Sequence, residues 1–122
     1  MTLIYGINNC DTVKKAIKWL DNNKITYDFH DYKKQGLSEE LLKHFEKNSD
    51  WALLINKRST TFRNLSDEVK ARLKDDIDNE LAFSTVLAQP TLLKRPLLIH
   101  KDQIHLGFKA PQYHEIFATE QD

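Results

Sequence analysis

The chain has 122 residues, is 40% hydrophobic and 30% charged, contains a single cysteine, and sets 18 Lys plus Arg against 18 Asp plus Glu. That is one domain's worth of globular chain, and it excludes a disordered segment, a disulfide-stapled framework and a global basic field for nucleic acid or anionic lipid. The N-terminus runs into Thr2-Leu3-Ile4-Tyr5 with no basic region before it, and no apolar run approaches the ~20 residues that span a bilayer. A soluble protein of a reducing cytoplasm is expected.

Leu3-Ile4-Tyr5 reads as a short buried strand closed by Gly6. After the turn chemistry of Asn8-Asn9-Cys10-Asp11, Val13, Ala16, Ile17 and Leu20 recur at helical spacing, which predicts a helix from about Thr12 to about Asn22. Ile25, Tyr27 and Phe29 alternate with polar residues as in a half-buried strand. A helical crossover makes the two strands parallel. Ser38 is a plausible N-cap for a second helix, with Glu39 and Glu40 in its positive first turn. Trp51 to Ile55 is a short apolar run compatible with either state, and Asn56–Thr61 reads as a loop. Ser66 caps a helix bearing Val69, Leu73 and Ile77, and Asp78 caps another that ends before Pro90. Leu97–Ile99 and Ile104–Leu106 flank a short turn and predict a β-hairpin. Pro111 suits the first turn of a last helix carrying Tyr113, Ile116 and Phe117. The expected product is a single α/β domain over residues 1–122. It has a four-stranded mixed sheet, helices on both faces, and a helical insertion at about 38–89 between a β-α-β and a β-β-α half.

Cys10 falls between a strand and the helix after it. Ligands collect at the carboxyl ends of strands, where helix N-termini present free N–H groups and favour negative charge, including a thiolate. Asp11 beside it works in the opposite direction. The competing reading makes Cys10 a small buried apolar residue. Arg58 and Arg95 have the forked geometry for carboxylates and oxyanions, although sequence alone fits solvated surface charges better. The histidines, His30, His44, His100, His105 and His114, show no metal-ligand spacing. No bound metal or cofactor is expected. Three glycines make no phosphate loop, and the basic pairs lack interleaved aromatics, so nucleic acid is not expected either.

The opening Leu3-Ile4-Tyr5-Gly6-Ile7-Asn8-Asn9-Cys10-Asp11-Thr12 resembles the arsenate reductase (ArsC)-like group of thioredoxin-fold proteins. Its YffB-like branch, related to the Spx regulators, is the most similar. The likeness continues in Phe29-His30-Asp31-Tyr32-Lys33, Asn56–Phe62, Lys94-Arg95-Pro96-Leu97-Leu98 and Leu106-Gly107-Phe108, in the expected order along nearly the whole chain. The resemblance implies a thioredoxin-like fold with a helical insertion, a cis Arg95–Pro96 bond beside the thiol, and Cys10 as nucleophile. It places Asn8, Arg58, Arg95 and Pro96 among the substrate-binding positions. The third family arginine falls where this chain has Phe108 and Lys109; Lys109 supplies a point charge rather than a fork.

Asp11 stands where arsenate reductases carry a neutral small residue. Val13 stands where Spx proteins carry the second cysteine of Cys-x-x-Cys. With no second thiol, resolution must come from outside. The implied activity is therefore that of a thiol reductase using glutathione as co-substrate, or glutaredoxin. Its substrate would be a disulfide, a glutathione mixed disulfide or an oxyanion such as arsenate. The alternative the resemblance offers is a non-catalytic Spx-like regulator that binds RNA polymerase. Balanced charge fits a monomer.

Overall fold

A computed structural model describes residues 2–118. The chain divides into two compact units. One runs to Lys34 and resumes at Arg95; the other is Gln35–Lys94.

The first unit is built on a four-stranded mixed sheet. Its strands are β1 (Thr2–Gly6), β2 (Asp28–Asp31), β3 (Leu97–His100) and β4 (Gln103–Leu106), in the order β2-β1-β3-β4. β1 runs parallel to β2 and antiparallel to β3, and β3 runs antiparallel to β4. Parallel neighbours need a crossover, which α1 (Asp11–Asn22) supplies. Its buried stripe is Val13, Ala16 and Leu20. Residues along a strand alternate between faces. Ile4 and its cross-strand partner Leu98 therefore share one face, where they form a buried cluster with Ala16, Leu20, Tyr113 and Phe117. The last two lie on α8 (Ala110–Phe117). Trp19 closes this layer, 5.6 Å from the Tyr113 ring and 5.7 Å from that of Phe117. Tyr5 and Leu97, paired on the opposite face, are also buried.

The hairpin turns on two residues, Lys101 and Asp102, with φ of 52° and 65°. This is the twist a two-residue connection requires, and it occurs here without glycine. β2 is shorter than the alternation of Ile25, Tyr27 and Phe29 predicts. Lys24 turns the chain at φ 58°, the Ile25 N–H donates to the Leu20 carbonyl at 3.0 Å, and the ladder begins only at Asp28. Ile25 and Tyr27 pack on the core without strand partners.

The second unit is helical: α3 (Glu39–Asn48), α4 (Trp51–Leu54), α5 (Thr60–Arg63), α6 (Asp67–Arg72), α7 (Asn79–Ala88) and a 3-10 turn at Pro90–Leu92. A short α2 (Tyr32–Gln35) precedes them. Ser38, Asp50, Ser59, Ser66 and Asp78 cap α3 to α7 by accepting backbone N–H bonds from Leu41, Ala52, Phe62, Val69 and Leu81. The expected loop Asn56–Thr61 therefore overlaps α5 by two residues, Thr60 and Thr61. The Ser66-capped helix stops at Arg72 instead of reaching Ile77, because the chain turns there and the Asp78 N–H donates back to the Arg72 carbonyl at 3.1 Å. Ile55 and Leu93 form an isolated antiparallel bridge.

Candidate active site

The sheet register gathers several of the expected site residues at one end. β1 ends at Gly6 and β2 at Asp31, its partner there. β3 begins at Leu97 opposite Tyr5, and β4 ends at Leu106 opposite Leu97. The turn carrying Asn8 and Cys10, the Arg95–Pro96 dipeptide, and the segment from Gly107 to Lys109 thus all emerge at the carboxyl end of β1. Arg58 belongs to the helical unit.

Cys10 is the N-cap of α1, in extended conformation at φ −96° and ψ 124°. Its N–H donates to the Ile7 carbonyl at 3.3 Å, and its carbonyl accepts from Lys14 at 3.0 Å. The backbone of the thiol-bearing residue is therefore tied at both sides. The side chain makes no capping bond and is partly exposed, which leaves the sulfur available to a substrate. The unpaired N–H groups of the first helical turn lie next to it, and a negative charge there faces the positive end of the helix. Asp11 does not cap α1: it is the first helical residue, exposed, with its carboxylate in that first turn. Asn8 and Asn9 are exposed in the turn before Cys10.

The Arg95–Pro96 bond is cis, as the resemblance implies. Pro96 is buried and Arg95 half-buried. The Pro96 carbonyl accepts the Gly107 N–H at 2.9 Å, which fastens the chain before β3 to the chain after β4. Gly107 has φ 74°, a region open to glycine. Lys109 is exposed and is the N-cap residue of α8. Gln112 holds this segment from both sides: its Oε1 accepts the Lys109 N–H at 3.2 Å, and its Nε2 donates to the Leu106 carbonyl at 3.2 Å.

Arg58, in the second unit, is exposed on the turn before α5. Its N–H donates to Asn56 Oδ1 at 3.0 Å, while Ser59 Oγ donates to the Asn56 carbonyl at 2.8 Å and accepts from Phe62. The turn presenting the guanidinium is thereby locked by its own side chains.

The ladder closes with Gly6 against Asp31 on one side and Tyr5 against Leu97 on the other, so Tyr32 and the Arg95–Pro96 dipeptide follow and precede the paired residues at the carboxyl end of β1. Ile7 is the residue whose carbonyl anchors Cys10. Tyr32 is buried, stacks on Tyr5 at 6.3 Å and meets His30 at 5.9 Å. Burial pushes its phenol far above the ordinary value of 10, the neighbouring Tyr5 raises it further, and the charge of Arg95 pulls it back. The sequence carries Tyr32 only inside a block of family likeness. Its position directly after a strand end is the one local signal, since the pairing of that strand with β1 is non-local. Elsewhere in this unit, His100 is buried and its Nδ1 lies 2.8 Å from Thr2 Oγ1. Among the described residues, no group of three or more His, Cys, Asp or Glu could hold a metal ion, and no helix is long and apolar enough to cross a membrane.

Comparison with known proteins agrees with this fold. The model of the ArsC family matches residues 5–116. An uncharacterised protein of Haemophilus influenzae is 42% identical over 118 residues, covering 97% of this chain and all of the relative. The solved structure of a YffB protein superposes with a TM-score of 0.83 at 40% identity, over 94% of this chain and 97% of that one. An arsenate reductase-related protein from Brucella melitensis gives a TM-score of 0.77 at 45% identity, over 95% and 93%. The global transcriptional regulator Spx of Lactiplantibacillus plantarum is 24% identical over 88% of this chain and 80% of its own. The sheet and helices are those of the thioredoxin-like ArsC fold.

Proposed function

For a chain that belongs to the ArsC family, we propose a thiol-dependent reductase in which Cys10 is the nucleophile and an external thiol, glutathione or glutaredoxin, completes the cycle. The observation that carries this reading is the placement of Cys10. It is the one cysteine of the chain, partly exposed at the N-terminus of α1 with no capping bond on its side chain. A nucleophile needs that access, and the helix end offsets the negative charge of a thiolate.

With a glutathione mixed disulfide as substrate, the Cys10 thiolate attacks the glutathione sulfur. The substrate S–S bond breaks, a Cys10–glutathione disulfide forms, and the reduced substrate leaves as a thiolate that takes a proton from solvent. A second glutathione thiolate then attacks that disulfide, releasing glutathione disulfide and regenerating the Cys10 thiolate. Two glutathione-level electrons enter per substrate reduced, and none are stored in the protein. Arg95 supplies charge for the glutathione carboxylates, with Pro96, Asn8 and Lys109 completing the substrate surface. Arsenate is the weaker substrate: Asp11 repels an oxyanion, and Lys109 replaces a fork with a point charge.

The test is turnover of a cysteine–glutathione mixed disulfide with glutathione present, comparing wild type with Cys10→Ser, and mass spectrometry of the protein during turnover. Cys10-dependent reduction and a protein carrying one glutathione are expected. Absence of both overturns the reading. The similarity to proteins named Spx supports a second reading, a regulator that binds RNA polymerase, which stoichiometric co-purification with the polymerase would favour.

A further inference from the structure

Gln112 joins the end of a strand to the start of a helix. Its Oε1 accepts the Lys109 N–H at 3.2 Å, and its Nε2 donates to the Leu106 carbonyl at 3.2 Å. Leu106 is the last residue of β4, and Lys109 is the N-cap of α8. The two residues between them are tied as well. The Gly107 N–H donates to the Pro96 carbonyl at 2.9 Å, and the Phe108 ring meets Tyr113 edge-on at 4.7 Å. Each residue from Leu106 to Lys109 therefore has its own fixed contact, and one glutamine makes the contact at both ends.

Helix formation alone does not ask for this arrangement. An N-cap side chain ordinarily accepts a first-turn N–H, and α3 to α7 use serine or aspartate for it. Lysine has only donors, and its charge stands at the positive end of the helix. α8 thus keeps at its start a residue that works against it, while Gln112 accepts the N–H of that same residue. A local rule broken in this way marks a functional position. The Pro96–Gly107 bond sets the segment beside the dipeptide at the carboxyl end of β1. Only β3 separates β4 from β1, so Leu106 stands two interstrand spacings, about 10 Å, from β1. A lysine side chain and half of an extended tripeptide cover that span together.

Resting on the reductase reading above, we propose that Gln112 is a positioning residue: by fixing Lys109 to the end of β4 it aims the lysine charge at a terminal carboxylate of the glutathione held at Cys10. Gln112 touches neither the substrate nor the sulfur. Its effect passes through Lys109, so it acts on affinity and leaves the chemistry at Cys10 as it is.

The test is a double-mutant cycle on turnover of the cysteine–glutathione mixed disulfide at low salt, with Gln112→Met, Lys109→Gln and the two combined. Methionine keeps the length of the glutamine side chain and makes neither bond. Tyr113 and Phe117 anchor α8 in the core, so the helix stays docked without them. Gln112→Met is expected to raise KM about two- to fivefold, the range of an exposed charge pair, with little change in kcat. Cys10 should react with iodoacetamide at the wild-type rate. On the Lys109→Gln background the same substitution is expected to leave KM unchanged. An unchanged KM in Gln112→Met overturns the proposal. So does a rise of equal size with and without Lys109, which would show that the glutamine only holds the fold. In both cases the wild-type turnover leaves the reductase reading standing. A wild type with no Cys10-dependent turnover ends that reading and this proposal with it.

Discussion

Val13 lies so close over Gly6 that a Cβ built on the glycine would stand 2.7 Å from the valine Cγ2. β1 ends at Gly6 and α1 carries Val13 in its first turn, so the missing side chain sets how near the helix start comes to the sheet. Valine is stiff and cannot rotate away cheaply. Gly6→Ala is expected to destabilise the protein by about 1–3 kcal/mol, the usual cost of overpacking. It is also expected to change the alkylation rate of Cys10, one turn away. In Gly6→Ala/Val13→Ala the clash is gone, so the double mutant should be more stable than the sum of the single losses predicts. Chemical denaturation of the three variants checks this; additive losses would mean that the two positions do not meet.

Asp11 places a carboxylate next to the thiol without capping the helix. Asp11→Ala is expected to speed alkylation at neutral pH and low salt, by about two- to fivefold for iodoacetate and less for neutral iodoacetamide, as expected for neighbouring like charges in a wet environment. Added salt should narrow the gap between the reagents. Equal rates for wild type and variant with iodoacetate would show that the carboxylate points away from the sulfur.

Ser59 both caps α5 and ties back to the Asn56 carbonyl, and it is buried. Ser59→Ala removes the cap and leaves the Phe62 N–H without its partner, at an expected cost of about 1–2 kcal/mol. Ser59→Thr, which keeps the hydroxyl, should recover most of that loss in chemical denaturation. No stability loss in Ser59→Ala would assign the turn's rigidity to its backbone alone.

Burial, and then the charge of His100, hold His105 below its ordinary value of 6.5. The native protein therefore takes up a proton there less readily than the unfolded chain. The stability this group contributes is fully present above about pH 6.5 and is lost as pH falls below that value toward the folded-state ionisation. Denaturation midpoints measured from pH 8 to 5 should fall on the acid side for wild type and fall less for His105→Gln. Parallel curves would assign the acid sensitivity to other groups.

The parts of the fold legible in the sequence are those set by neighbours in the chain. Ser38, Ser66 and Asp78 were readable as caps because a cap is a side chain reaching three residues ahead. Pro111 marked α8 for the same local reason. Ile77 was misleading. It keeps helical spacing after Leu73, yet the chain has already turned at Arg72, and periodicity does not register a backbone reversal. Ile25 and Tyr27 alternate as strand residues do but serve the core from outside the ladder. At the site, Cys10 at a helix start and Arg95 before a strand were visible as residues. That Gly6 meets Asp31 on one side while Tyr5 meets Leu97 on the other depends on two strand pairings made across long stretches of chain, and no local pattern encodes them.

The antiparallel pairing of β1 with β3 acts as a ruler with two scales. One scale sets Leu98 against Ile4 in the core, and the other sets the Arg95–Pro96 dipeptide against the end of β1. A one-residue slip of β3 would turn Leu98 out of the core and shift the Arg95–Pro96 dipeptide along the end of β1 at the same time. Insertions within Pro96–His100 or Gln103–Gly107 are thus barred twice, once by packing and once by the Pro96 carbonyl and Gly107 N–H that close the open end of the hairpin. The length of each of these two strands is a fixed dimension of the protein, and a library of inserted residues should recover none within them while accepting them in exposed turns such as Lys101–Asp102 or Asp75–Asp76.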